Sequence, residues 1–115
     1  GSLNFFKTVD EAVAQRHSLG TKEFRLEGIV QKGSVTRTNR GADFVVTGTH
    51  HHAITVHEVG APPQLFRANI PVVVVGHFMS ATSNLFVAHQ IMVKHSASYI
   101  AKHPGRVKAP DGTKR

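Results

Sequence analysis

A histidine and the only tyrosine of this chain stand four residues apart in Lys94-His95-Ser96-Ala97-Ser98-Tyr99. A neutral imidazole nitrogen is both a nucleophile and a metal ligand. A phenolate oxygen is a hard ligand, suited to ferric iron. In extended chain the two side chains would start about 13 Å apart. One helical coil would bring them to about 6 Å, close enough to share one planar ligand. The plainer reading is that Tyr99 caps the folded core and His95 is a solvated strand-end residue. Two residues at one spacing do not decide between these.

Histidine is abundant, with nine in the chain. His50-His51-His52 is the densest run. In a strand, His50 and His52 would share a face, and three adjacent imidazoles can coordinate zinc or nickel adventitiously. The alternative is an exposed loop with no metal. His57, His77 and His89 fall inside expected strands without a clustered partner, and His17 and His103 are expected to be exposed.

The chain has 115 residues, enough for one domain with one modest core. Gly1-Ser2 has the look of a tag remnant and is left out of the fold reasoning. There are no cysteines, so disulfides and thiolate metal sites are excluded. The formal charge of +7 favours an anionic partner: nucleic acid, anionic lipid or a carboxylate-bearing ligand. No apolar run approaches the ~18 residues of a membrane span. No nucleophile elbow, H-E-x-x-H motif or carboxylate dyad suggests a hydrolase.

The elements that must position His95 and Tyr99 follow from patterning. Phe5 to Gln15 reads as a short helix, with Thr8 and Glu11 at capping-box spacing and Phe6 as its apolar staple. His17-Ser18-Leu19-Gly20 ends it. Strands are expected over Thr21–Lys32, Ser34–Arg37, Asp43–Thr47, His52–Glu58, Pro71–Met79 and Leu85–Lys94. Gly28 suggests a bulge or a sharp coil. Thr38-Asn39-Arg40-Gly41 and Ser80 to Asn84 are turns, and Pro62-Pro63 excludes a central strand. Pro63 to Phe66 suits one helical turn. Successive strands without long intervening helices argue for an antiparallel sheet. Internal glycines let the strands coil, and closure removes sheet edges. The expectation is all-β: a small closed OB-fold barrel of five to six antiparallel strands, a short N-terminal helix and a flexible C-terminal tail.

From Glu27-Gly28-Ile29-Val30-Gln31-Lys32-Gly33-Ser34-Val35, through Leu65-Phe66-Arg67 and Val72-Val73-Val74-Val75-Gly76, to Met92-Val93-Lys94-His95 and Tyr99, the chain resembles the CcmE family. These are periplasmic haem chaperones of cytochrome c maturation. The resemblance implies a transient covalent bond from His95 to a haem vinyl carbon, with Tyr99 as axial iron ligand. It implies a carrier, not an enzyme. Its implied partners are haem, the membrane complex that delivers haem, a haem lyase and apocytochrome c. It further implies a monomer, with a single-pass N-terminal anchor, absent from this sequence, in the bacterial inner membrane and the folded domain on the periplasmic side.

On this reading residues 1–20 are an N-terminal extension, 21–95 the barrel and 96–115 a basic tail beside the haem. Lys94, Lys102, Arg106 and Lys108 are candidates for the haem propionates. Met92, Phe86, Val93 and Ile100 are candidates for a flat apolar surface, core packing being the expected role of Phe86 and Met92. Leu65 and Phe66 are expected to plug the barrel; Arg67 is assigned to ligand or partner. The sequence departs from the family pattern in the spacer Ser96-Ala97-Ser98, often acidic, and in Ile100 to His103, where a proline pair is usual. Pro63-Gln64, where proline-aspartate is common, and Ala68-Asn69-Ile70, where an acidic stretch is usual, also differ. The competing reading is an OB-fold nucleic-acid-binding module. The charge permits it, but seven phenylalanines and one tyrosine show no interleaving with basic residues to make a stacking platform.

Overall fold

The structure, a computed structural model, describes residues 5–63 and 66–94. The elements are β1 (Phe6–Thr8), α1 (Val9–Ala14), α2 (Arg16–Leu19), β2 (Phe24–Val30), β3 (Thr36–Arg37), β4 (Gly41–Thr47), β5 (Ala53–Val59), β6 (Pro71–Phe78) and β7 (Leu85–Val93).

The capping box forms as the spacing predicts. Thr8 Oγ1 accepts from the Glu11 backbone, and Glu11 Oε1 accepts from the Thr8 N–H. That fixes Thr8 as the N-cap, so the helix begins at Val9, not at Phe5. Phe6–Thr8 instead run parallel to β2, with Phe6 opposite Arg25. Phe6 is half-exposed under the Arg25 guanidinium, so it is not a staple. A second short helix, α2, extends to Leu19, and Gly20 ends it at φ 55°, a left-handed value that suits glycine.

Five strands form a closed circuit of pairings: β2–β6, β6–β7, β7–β5, β5–β4 and β4–β2. The expectation of antiparallel strands needs correction at two places. β5 and β7 pair in parallel, as do β1 and β2. The parallel β5–β7 contact closes the circuit between strands that are not neighbours in sequence. A seventh strand, β1, was not expected at all. β2 achieves closure by changing partner: Phe24 to Ile29 pair with β6, while Ile29 and Val30 pair with β4. Gly28 stands just before this change, and a Cβ there would lie 2.8 Å from Val9 Cγ2. It lets α1 close on the barrel, and the bulge lies elsewhere, between Val75 and Gly76.

Alternation sorts the faces. Phe24, Leu26 and Val30 of β2, Phe44 and Val46 of β4, and Ile54 and Val56 of β5 all point inward and are buried. Phe24, Phe78 and Phe86 meet with ring centroids 5.1–5.8 Å apart in tilted or edge-on contacts. A second aromatic pair, Phe44 and Phe66, lies 4.8 Å apart and fills another part of the core. β6 is buried on both faces, which explains its unbroken valine run.

Candidate functional site

The residue before His95 can be located from its backbone. Lys94 N–H donates to the Pro71 carbonyl at 3.0 Å. This bond continues the β6–β7 ladder one step past Val93. Lys94 therefore stands beside the start of β6. His95 and Tyr99, Ile100, Lys102, Arg106 and Lys108 lie outside the described residues, as does Leu65.

Around Lys94 the register fixes what faces outward. Ile29 pairs with Pro71, and Glu27 pairs with Val73, which pairs in turn with Met92. These belong to the outer face, since their neighbours Val72 and Val74 are in the core cluster. Met92 and Ile29 are half-buried, and Val73 and Val75 are buried although they face out. Lys94 thus borders a strip that is apolar at Ile29, Val73, Val75 and Met92 and charged at Arg25 and Glu27. A planar apolar group with carboxylates would find apolar contact at Ile29 and Met92 and cations at Arg25 and Lys94, with the acid Glu27 between them.

The other surface candidates sort differently. Phe86 is fully buried among Phe24 and Phe78, so it is core. Val93 packs against the core from its edge. Phe66 is buried against Phe44, consistent with a plug, and Arg37 lies 5.2 Å over its ring while donating to its carbonyl at 3.2 Å. Phe66 N–H bonds back to Pro63, as a single turn requires. Arg67 is exposed. Asn69, at φ 64°, turns the chain into β6, and its N–H bonds to the Val30 carbonyl at 2.8 Å.

The histidines acquire partners that sequence spacing conceals. His50 and His52 do not share a strand face: they sit in the turn between β4 and β5. Both reach Asp10 of α1, His50 Nδ1 at 3.1 Å from one oxygen and His52 Nδ1 at 2.8 Å from the other. The Thr49 N–H and hydroxyl donate to the same carboxylate at 3.0 and 2.9 Å. Partial burial works to raise the Asp10 pKa, but the bonds from His52, His50 and Thr49 outweigh it and hold the carboxyl well below its usual range. Gly48 is needed at the turn, because a Cβ there would lie 2.7 Å from the carboxylate. His57 pairs with Asp43 across β4 and β5, and His89 Nε2 pairs with Glu23 at 2.8 Å. His77 Nδ1 bonds to the Phe78 carbonyl at 2.9 Å.

Two carboxyls escaped the sequence reading. Asp10 is some forty residues from its partners, and no local signal marks it. Glu58 was legible: it continues the inward alternation of Ile54 and Val56 and is 1 % exposed. Among the described residues neither of its oxygens has a hydrogen-bond partner. Burial raises its pKa, and the charges of His57 and His89 oppose that in part.

Among the described residues the aromatic rings offer no stacking platform. Of the described phenylalanines, Phe24, Phe44, Phe66, Phe78 and Phe86 are buried, and only Phe5 and Phe6 are exposed.

The closed five-strand circuit is an OB fold. A solved structure, the solution NMR structure of the OB-fold domain of the haem chaperone CcmE from Desulfovibrio vulgaris, matches with a TM-score of 0.55 at 23 % identity. The match covers 64 % of this chain and 86 % of that one. The CcmE domain model matches residues 3–102, and the chain belongs to the CcmE family. It is 39 % identical over 100 residues to the cytochrome c-type biogenesis proteins CcmE of Brucella ovis and Brucella canis, and 36 % identical to that of Brucella anthropi. These alignments cover 87 % of this chain but 58 % of each relative, so the chain spans little more than half their length. Among the described residues, no helix is long and apolar enough to cross a membrane.

Proposed function

We propose that this domain carries haem for cytochrome c biogenesis, as a chaperone and not a catalyst. His95 is the temporary covalent attachment point, and Tyr99 is the axial iron ligand. The observation that carries the reading is the position of K-H-x-x-x-Y immediately past the last ladder bond, from Lys94 to Pro71. Family membership supports it.

Attachment joins one imidazole nitrogen to a vinyl carbon, and the proton displaced from nitrogen is balanced by one gained at the other vinyl carbon. An imidazole that follows the last barrel strand in sequence can meet a large planar cargo without opening the core. Ile29 and Met92 offer apolar contact beside Lys94, and Arg25 and Lys94 offer cations for propionates on either side of Glu27. Haem arrives from a membrane complex and leaves for apocytochrome c with a haem lyase. The folded domain works as a monomer on the periplasmic side of the inner membrane, held there by an N-terminal anchor. Residues 21–95 act as the barrel and 96–115 as the haem-proximal segment.

The test is haemin addition with reductant, followed by acid-denaturing separation and mass measurement. Haem mass is expected on the native chain and absent from His95→Ala. Tyr99→Phe is expected to keep the attachment and change the ferric absorption spectrum. Haem retained by His95→Ala, or an unchanged spectrum for Tyr99→Phe, overturns the respective assignment.

A further inference from the structure

We propose that the β4–β5 hairpin tip binds a divalent late transition-metal ion through Nε2 of His50 and His52, with Asp10 as the residue that positions both rings. The starting point is the sharing of one carboxylate. An ionised carboxylate only accepts hydrogen bonds, so each Nδ1 that meets Asp10 must carry its proton. A neutral ring protonated at Nδ1 has its lone pair at Nε2. Both rings are therefore held in the tautomer that ligates through Nε2, on the ring edge away from Asp10.

This is the arrangement by which carboxylates prepare histidines for metals. The second nitrogen is fixed by a hydrogen bond, which orients the ring and raises its basicity. Here one carboxylate does it for two imidazoles, one on each oxygen. Thr49 completes the clasp with its N–H and hydroxyl, and Gly48 allows the close approach. The tip is accessible, with the His50 side chain 78 % and the His52 side chain 47 % exposed.

Imidazole ligands and an open coordination sphere suit Cu²⁺, Ni²⁺ or Zn²⁺. Among the described residues no three histidine or carboxylate side chains converge to hold a metal ion. The site accordingly has two protein ligands, and water or a second copy of the chain supplies the rest. Asp10 does not ligate, because its oxygens are occupied by the Nδ1–H groups. The site lies at the start of β5, whereas Lys94 stands beside the start of β6, so the inference is independent of haem carriage.

The experiment is equilibrium dialysis of the full chain against Cu²⁺, Ni²⁺ and Zn²⁺ separately, without haem. The expected affinity order places Cu²⁺ first. The His50→Ala/His52→Ala double variant is expected to lose one bound equivalent, and His51→Ala to keep it. Asp10→Asn is expected to weaken binding about 10–100-fold. Nitrogen-15 NMR of the imidazoles checks the tautomer premise, and its response to Cu²⁺ is a readout that a purely structural clasp would not move. The His50 and His52 rings should show the Nδ1-protonated tautomer without metal, and their signals should broaden first on substoichiometric Cu²⁺. Unchanged binding in the double variant, loss in His51→Ala alone, or broadening confined to other rings overturns the proposal. Should Asp10→Asn fail to fold, the double variant and the order in which the ring signals broaden on Cu²⁺ still decide.

Discussion

Replacing Glu58 with methionine is expected to stabilise this protein, and more so as pH rises. Glu58 points into the barrel beside Ile54 and Val56, with 1 % of its surface exposed. Its two oxygens find no hydrogen bond among the described residues. A Cβ on Gly41 would lie 2.6 Å from one of them, and on Gly60 2.7 Å from the other, so the carboxyl is closely packed. A buried polar group left unsatisfied costs about 1–3 kcal/mol. Methionine is similar in length, carries no strong polar atom and adapts to irregular space. The gain is therefore about 1–3 kcal/mol, or a Tm rise of at least about 4 °C for a domain of this size. The pH dependence has a definite sign. Burial raises the folded pKa above the usual 4.5. The proton-linked stability is then fully present below 4.5 and lost as pH rises through the raised folded value. Urea unfolding of both proteins at pH 4, 6 and 8 should show a difference that widens with pH. A Glu58→Met protein less stable than the parent at neutral pH, or a difference independent of pH, refutes the reasoning.

Asp10→Ala removes the clasp between α1 and the β4–β5 hairpin and should cost about 1–3 kcal/mol at pH 7 by chemical denaturation. Because the folded pKa of Asp10 is depressed, its contribution is present above the usual 3.8, and the deficit of the variant should shrink as pH falls below that value. Gly76→Ala would place a Cβ 2.0 Å from the Val87 carbonyl, a backbone atom that cannot swing away, so a loss of about 1–3 kcal/mol is expected in thermal melts. Phe86→Ala should cost about 3–5 kcal/mol by urea unfolding, because it empties the centre of the three-phenylalanine cluster.

The barrel was legible because its strands carry strong local signals. Ile54-Thr55-Val56 alternates cleanly, and Phe44-Val45-Val46 and Val72 to Val75 are apolar runs of strand length, rich in β-branched residues. The capping box was legible for the same reason, since both partners lie within one turn. The parallel pairing of β5 with β7 had no such signal. Hydrophobic alternation says which face a residue takes but not which strand lies beside it. β1 failed for a related reason: Phe6–Thr8 is too short to show a period, and a helix signal overlaps it. Asp10 was invisible because a carboxylate in a first helical turn already has a local explanation in the helix dipole. Its bonds to Thr49, His50 and His52 exist only once the hairpin folds back on α1.

A chain ending at Lys94 should separate folding from cargo. The buried apolar set runs from Val9 to Ile91, and every pairing of the closed circuit is complete by Val93. The bond from Lys94 to Pro71 is retained in such a chain. Among the described residues no member of the core cluster lies beyond Ile91. The shortened protein should therefore unfold with the same denaturant m-value as the full chain, since m follows the surface exposed on unfolding. Its Tm should stay within about 4 °C, the equivalent of about 1 kcal/mol at this size. It should at the same time retain no haem after acid-denaturing separation. A shortened chain with a lower m-value and a much lower Tm would place part of the folded unit beyond Lys94, and the boundary at residue 95 would be wrong. One that folds normally and still holds haem covalently would remove His95 from the attachment, whatever the stability of the barrel.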